Sequence, residues 1–244
     1  MNDLPTPSYT RATQVCYGIG VTSPREHARA RIDADPRLKA LRAELEGGFD
    51  DDPGHDLEHC LRVAGWTLRC GEDAVDPSEA VAAALLHDWI NVAKDDPRRA
   101  EAGLLSAAEA RARLPAHGFS PDAVERIAEA IEDHGYSRGV RPRSALGRAL
   151  QDADRLEALG ALGVFRTVSC GTRMGARYFD PTDPWAEGRD LDDRRQTVDH
   201  FFTKLLRLPE TLHTERGRAE AHRRAAFLEA FLDQLAEELD RPRP

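Results

Sequence analysis

The chain has 244 residues, 41% of them hydrophobic and 32% charged, with a net charge of −9 at neutral pH. That composition suits a folded domain with a real core, and the acidic balance argues against a general nucleic-acid or membrane-surface binder, whose affinity rests on basic surface. The longest unbroken apolar run, Ala80 to Leu86, is far short of the ~20 residues a bilayer requires; no secretory leader is expected, and Cys16, Cys60, Cys70 and Cys170 lack C-x-x-C spacing, which fits a reducing cytoplasm better than a disulfide framework.

Residues 1–30 carry little pattern, with Pro5, Pro7, Gly18, Gly20 and Pro24, and read as an irregular N-terminal arm. Residues 31–244 read as one all-α domain, helical from about residue 36. Leu38, Leu41 and Leu45 mark one helix face, which Gly47-Gly48 ends. After the turn-forming stretch from Phe49 to Gly54, Leu57, Leu61, Ala64 and Leu68 form a stripe that ends near Gly71. Asp76-Pro77-Ser78-Glu79 is a helix start, with a capping aspartate, proline at the first helical position and a glutamate placed for a capping box. That helix runs through Val81–Leu86 into His87-Asp88. Further starts are expected at Ser106 and at Ser120-Pro121, the latter helix reaching His134. Residues 144–159 read as helical, followed by a short apolar piece from Ala161 to Val168 and a long loop from Gly171 to Arg189. Two helices, over 192–207 and 215–239, are expected to close the chain, the last with an apolar face at Leu228, Phe231, Leu232 and Leu235. No alternating strand pattern and no repeat is evident.

Several polar residues interrupt these apolar patterns. His55 and His59 are four apart and share a helix face, as do His200 and Lys204. His87-Asp88 ends an apolar helix, Asp152 and Asp154 lie between Leu150 and Leu156, and His134 follows a helix. A charged Asp88 or Asp154 against apolar helices is costly unless it is paired or metal-bound. Two such carboxylates beside two or three imidazoles call for a positive partner, which a divalent cation supplies. Neighbouring positions on a helix point about 100° apart, so His87 and Asp88 share one ion only if it lies close to the backbone between them. Only three of the 34 basic residues are lysines, Lys39, Lys94 and Lys204, which marks them as positions that favour a compact charge over a guanidinium.

His59, His87-Asp88 and Asp154, within the words His55–Val63, Ala84–Asp88 and Asp152–Leu156, resemble the H…HD…D signature of the HD-domain metal-dependent phosphohydrolases. Leu86–Lys94, Ala130–His134, Gln151–Gly160 and the segment from Leu191 through Lys204 are similar to the YedJ-like branch, whose relatives include nucleotide pyrophosphohydrolases. Trp89-Ile-Asn91 lacks the Gly-Lys of the HD-GYP phosphodiesterases. The resemblance implies an all-α HD-domain helical bundle. It also implies one divalent metal on His59, His87, Asp88 and Asp154, with manganese the first expectation and Mg, Fe, Co or Ni also suited to a mixed N/O set. Asp88 is thereby also a catalytic residue. Lys94, Arg155 and Lys204 are the candidate phosphate-binding cations, and His134 a phosphate ligand or proton relay. Asp152 is expected to orient a ligand from behind, and His55 is left open. The implied activity is hydrolysis of (deoxy)nucleoside triphosphates to monophosphate and pyrophosphate. The alternatives are a nucleotide monophosphatase or phosphodiesterase of the same fold, or a non-catalytic nucleotide sensor. The expected partner is a small nucleotide or phosphate ester, with no stable nucleic acid and no membrane; a homo-oligomer is compatible with the sequence.

Overall fold

The computed structural model describes residues 22–48, 54, 56–92 and 96–244. Lys94 and His55 lie outside the described residues. Those described fold as α-helices joined by short 3-10 turns, and the one β feature among them is an isolated bridge between Arg177 and Gln196. No helix among them is long and apolar enough to cross a membrane.

The helices form where caps and stripes coincide. Helix α1 (Pro24–Ala34) opens with a full capping box, Ser23 and Glu26 each satisfying the other's main-chain N–H. It corrects the irregular arm expected through residue 30: from Pro24 the chain is helical and buries Ala28 and Ile32. Helix α2 spans Pro36–Leu45. Helix α3 (Leu57–Gly71) begins at Asp56, which accepts from the His59 N–H at 2.7 Å. Helix α4 (Pro77–Leu86) begins as expected, Asp76 accepting from the N–H groups of Ser78 and Glu79. Glu79 does not complete a capping box, because its carboxylate is drawn across to Arg126 at 2.5 Å. The expected start at Ser106 falls inside α5 (Ala102–Arg113). The Ser106 hydroxyl is buried there and accepts from Ile90 N–H at 3.1 Å. Helices α6 (Pro121–His134) and α7 (Ala145–Glu157) are capped by Ser120 and Ser144.

Gly160, at φ +70°, turns the chain sharply after α7 into α8 (Gly160–Arg173), a conformation that favours glycine. The helix expected over 192–207 is mostly absent. It reduces to α9 (Asp199–Thr203), and a 3-10 segment follows from Leu205 to Thr211. Two local forces explain this. Buried Asp199 accepts from the Arg189 guanidinium at 2.6 and 2.8 Å and from Asp192 N–H at 2.7 Å, which folds the preceding chain into a loop. Pro209 offers no N–H to extend an α-helix behind it. Helix α10 (Glu215–Glu238) starts at Thr214 and closes the bundle.

Helix α3 is central, packed on α1, α4 and α7, with α6 bridging α4, α5 and α7. One apolar core fills this layer. A second lies where α7 and α3 meet the segment around Phe201–Leu212 and α10. Close approach of α1 to α3 depends on Gly65: a methyl group there would meet the Pro24 carbonyl oxygen at 2.0 Å. Gly65→Ala is therefore expected to destabilise the fold by about 1–3 kcal/mol through forced separation of the helices, read as a lower urea midpoint with an unchanged transition slope.

Candidate metal and phosphate site

Three helices of the central layer bring four side chains to one point. His59 comes from the first turn of α3, Asp154 from α7, and His87-Asp88 from the end of α4. One ligand atom from each lies within 4.8 Å of the others. His87 caps α4 with its backbone still helical, at φ −59° and ψ −39°, and the adjoining His87 and Asp88 side chains both reach the cluster. The His87 Nε2 stands 3.3 Å from Asp88 Oδ2 and 3.3 Å from His59 Nε2. Both imidazoles are fully buried, whereas the carboxylates of Asp88 and Asp154 retain 12% and 24% exposure and face an opening. His87 donates through Nδ1–H to the Ala84 carbonyl at 2.8 Å, which leaves its Nε2 turned to the cluster. Two nitrogens and two carboxylate oxygens at this spacing fit a divalent cation.

The cluster is tightly coupled. Burial disfavours charge on His87, yet the adjoining Asp88 carboxylate outweighs it and holds His87 well above the usual histidine range. Burial likewise raises the Asp88 carboxyl, but His87 and His134 hold it well below the carboxylate range. Burial lowers His59. Behind His59 lies Glu157, 1% exposed, with its Oε2 3.5 Å from His59 Nδ1 and 2.7 Å from Arg62 Nε. Burial pushes this carboxyl up, while His59 and Arg62 bring it down to about 2.

A cavity of about 330 Å³ opens over Asp88 and Asp154. Its walls carry Arg99, Arg138, Arg155, Arg166, Arg194 and Lys204, with Met174, Leu205 and Leu208 as apolar surface. His134 reaches in from the end of α6. It donates through Nδ1 to the Ile131 carbonyl at 2.6 Å and presents Nε2 3.4 Å from Asp88 Oδ1. Arg155 donates to the Thr211 carbonyl at 2.7 Å and lies over the Tyr136 ring, as does the Lys204 ammonium at 4.4 Å from the ring centre.

His134, Arg155 and Lys204 are thus brought to one cavity with the four-residue cluster. Lys204 arrives there by a different route from the one expected: α9 ends at Thr203, and Lys204 leaves the helix with φ −136°. Asp152 is not behind a ligand. It points the other way and accepts from His213 N–H and from the N–H and hydroxyl of Thr214, pinning the start of α10 to α7. Glu157, Arg166, Tyr136, Arg99, Arg138 and Arg194 were not singled out from the sequence. Glu157 alone carried a signal there, being one helical turn beyond Asp154 in an apolar pattern.

The chain belongs to the HD-domain family: residues 56–159 match the family described as HD domain, and the protein is a metal-dependent phosphohydrolase of that superfamily. Among its relatives is the uncharacterised protein YpgQ of Bacillus subtilis, 33% identical over 196 residues that cover 78% of this chain and 87% of YpgQ. The crystal structure of YpgQ in complex with ADP superposes with a TM-score of 0.64 over 82% of this chain and 96% of YpgQ, at 29% identity. An HD-superfamily hydrolase from Bacillus thuringiensis superposes with a TM-score of 0.61 over 87% of this chain and 98% of its own, at 26% identity.

Two substitutions two residues before or within the cluster separate scaffold from site. Asp88→Ala should abolish metal retention in elemental analysis while the helical circular-dichroism signal persists. Asp152→Ala should retain a full equivalent of metal yet lose roughly 2–3 kcal/mol of stability, because the N–H groups it satisfies are left unpaired.

Proposed function

We propose that the protein hydrolyses (deoxy)nucleoside triphosphates to monophosphate and pyrophosphate, with one divalent metal, manganese first, on His59, His87, Asp88 and Asp154. The observation that carries this reading is the cavity: a carboxylate–imidazole cluster at its floor under walls bearing five arginines and a lysine. A single phosphate needs far fewer cations than that. A chain of phosphates spreads negative charge along such a wall, and the apolar side at Met174, Leu205 and Leu208 can take the base or sugar. The volume is in the range of small-ligand sites, about 300–1,000 Å³, and the ADP complex of YpgQ supports a nucleotide as the ligand. The free state of Cys60, Cys70 and Cys170 supports a reducing, cytoplasmic setting.

The chemistry a divalent cation supplies in such a set is an acidified water and a polarised phosphoryl oxygen. The chain's own groups do the rest. Arg155 and Lys204 hold phosphate oxygens and offset the charge that develops on them. Burial lowers the pKa of the Arg155 guanidinium, yet it stays positive at neutral pH. His134, with Nδ1–H fixed on a main-chain carbonyl, exchanges its proton at Nε2 beside Asp88, which suits a relay to the leaving phosphate. Lys94 is assigned the same phosphate-binding role from its place in the HD-domain resemblance.

Product analysis tests the reading. Incubation of dNTPs with the manganese-loaded protein should release pyrophosphate; orthophosphate from monophosphates, with triphosphates untouched, would establish the monophosphatase instead. Lys204→Ala should lower kcat/KM at least tenfold, about 1.4 kcal/mol, at unchanged metal content. Lys204→Arg should also lose activity, since the fork of a guanidinium does not replace a point charge in the space over Tyr136.

A further inference from the structure

The two imidazoles from α4 and α6 have their Nδ1 atoms committed. His87 and His134 each direct Nδ1 at a main-chain carbonyl, which can only accept, so both present Nε2 to the cluster. His59 differs. Among the described residues its Nδ1 faces two side chains of opposite hydrogen-bonding sense. Glu157 Oε2, which can only accept, lies 3.5 Å away. Arg166 Nη1, which can only donate, lies 3.1 Å away and also donates to the Gly54 carbonyl. A neutral imidazole cannot satisfy both. If Nδ1 carries the hydrogen, it donates to Glu157, and Nε2 keeps the lone pair a cation needs. If Arg166 donates to Nδ1, the hydrogen sits on Nε2, which then cannot ligate. The glutamate is in place for the first arrangement: it is buried, Arg62 fixes its Oε2 at 2.7 Å, and its Oε1, without a hydrogen-bond partner among the described residues, faces Arg224 Nη1 at 3.8 Å.

The geometry points to Glu157 and Arg166 as opposed positioning residues that set metal affinity by competing for His59 Nδ1. Glu157 selects the tautomer that binds metal and Arg166 the one that does not. The neutral ring gains no proton and loses none in the exchange; one hydrogen leaves Nε2 and one is taken up at Nδ1. Arg166 also lines the phosphate cavity, so an anion that draws it off His59 removes the competitor.

This inference rests on the metal-site reading above, and manganese titration of the full-length protein by calorimetry distinguishes the two. Glu157→Leu, which removes the acceptor, should weaken manganese binding 10–100-fold, the range for loss of a carboxylate behind a metal-bound histidine. Glu157→Gln keeps an amide oxygen that can accept from Nδ1–H, so it should recover at least threefold over the leucine variant. Arg166→Met should bind manganese at least threefold more tightly than wild type. Equal weakening by leucine and glutamine would mean that carboxylate charge acts through its field alone and would overturn the tautomer argument. So would an Arg166→Met protein with unchanged or weaker affinity, a result that decides the matter even if Glu157→Leu fails to fold. A wild-type protein that takes up no manganese, or any other divalent ion, would overturn the metal-site reading itself.

Discussion

The molecule is organised around charge held out of water. His59 and His87 are fully buried and lie 3.3 to 3.9 Å from the carboxylates of Asp88 and Asp154, among helices whose buried faces are largely apolar. Such a cluster is tolerated only when every charge has a partner and the positions are fixed to within a fraction of an ångström. The central layer meets both demands. Helix α3 is pinned at its start by Asp56, α4 is apolar on all sides and therefore locked in place, and α7 packs along α3. The ligand set is as much a product of where these helices begin and end as of which residues they carry.

The same reasoning separates the parts of the structure that are visible in the sequence from those that are not. Helices α3, α4, α6, α7 and α10 announce themselves through their apolar patterns, those of α4 and α6 also through a start at Asp76 and Ser120, and the cluster follows because its residues sit on three of these helices or at their ends. The residues around Asp193 to Thr211 mislead because their periodicity is real but its hydrogen bonds are diverted: Asp199 is spent on Arg189, and Pro209 denies the helix a donor. Asp152 misleads for a related reason, since its carboxylate reads like a site residue and instead holds the start of another helix. Arg166 could not be seen at all. In a chain that uses arginine almost everywhere, one arginine near a histidine more than a hundred positions away leaves no local trace.

The electrostatics are divided by scale. The whole chain carries −9, yet the charged side chains lining the cavity over the cluster are in the majority cationic, five arginines and a lysine beside Asp88, Asp154 and Asp193. A negative surface surrounding a positive pocket disfavours long polyanions, which must lie along the outside, while small phosphate compounds can enter. Tyr136 contributes here without any charge of its own: the Arg155 guanidinium and the Lys204 ammonium both rest against its ring, which holds two like charges near each other at the mouth of the cavity.

The left-handed turn at Gly160 gives the site an unusual intolerance of length change. Glu157 ends one helix and Arg166 lies on the next, with only Ala158 and Leu159 between the two helices. Their approach to the same imidazole nitrogen is therefore fixed by the covalent chain itself. One residue gained or lost in this turn would change that spacing and carry Arg166 away from His59 while leaving His59, His87, Asp88 and Asp154 where they are. At this corner it is the spacing itself, rather than the identity of any one side chain, that is under constraint.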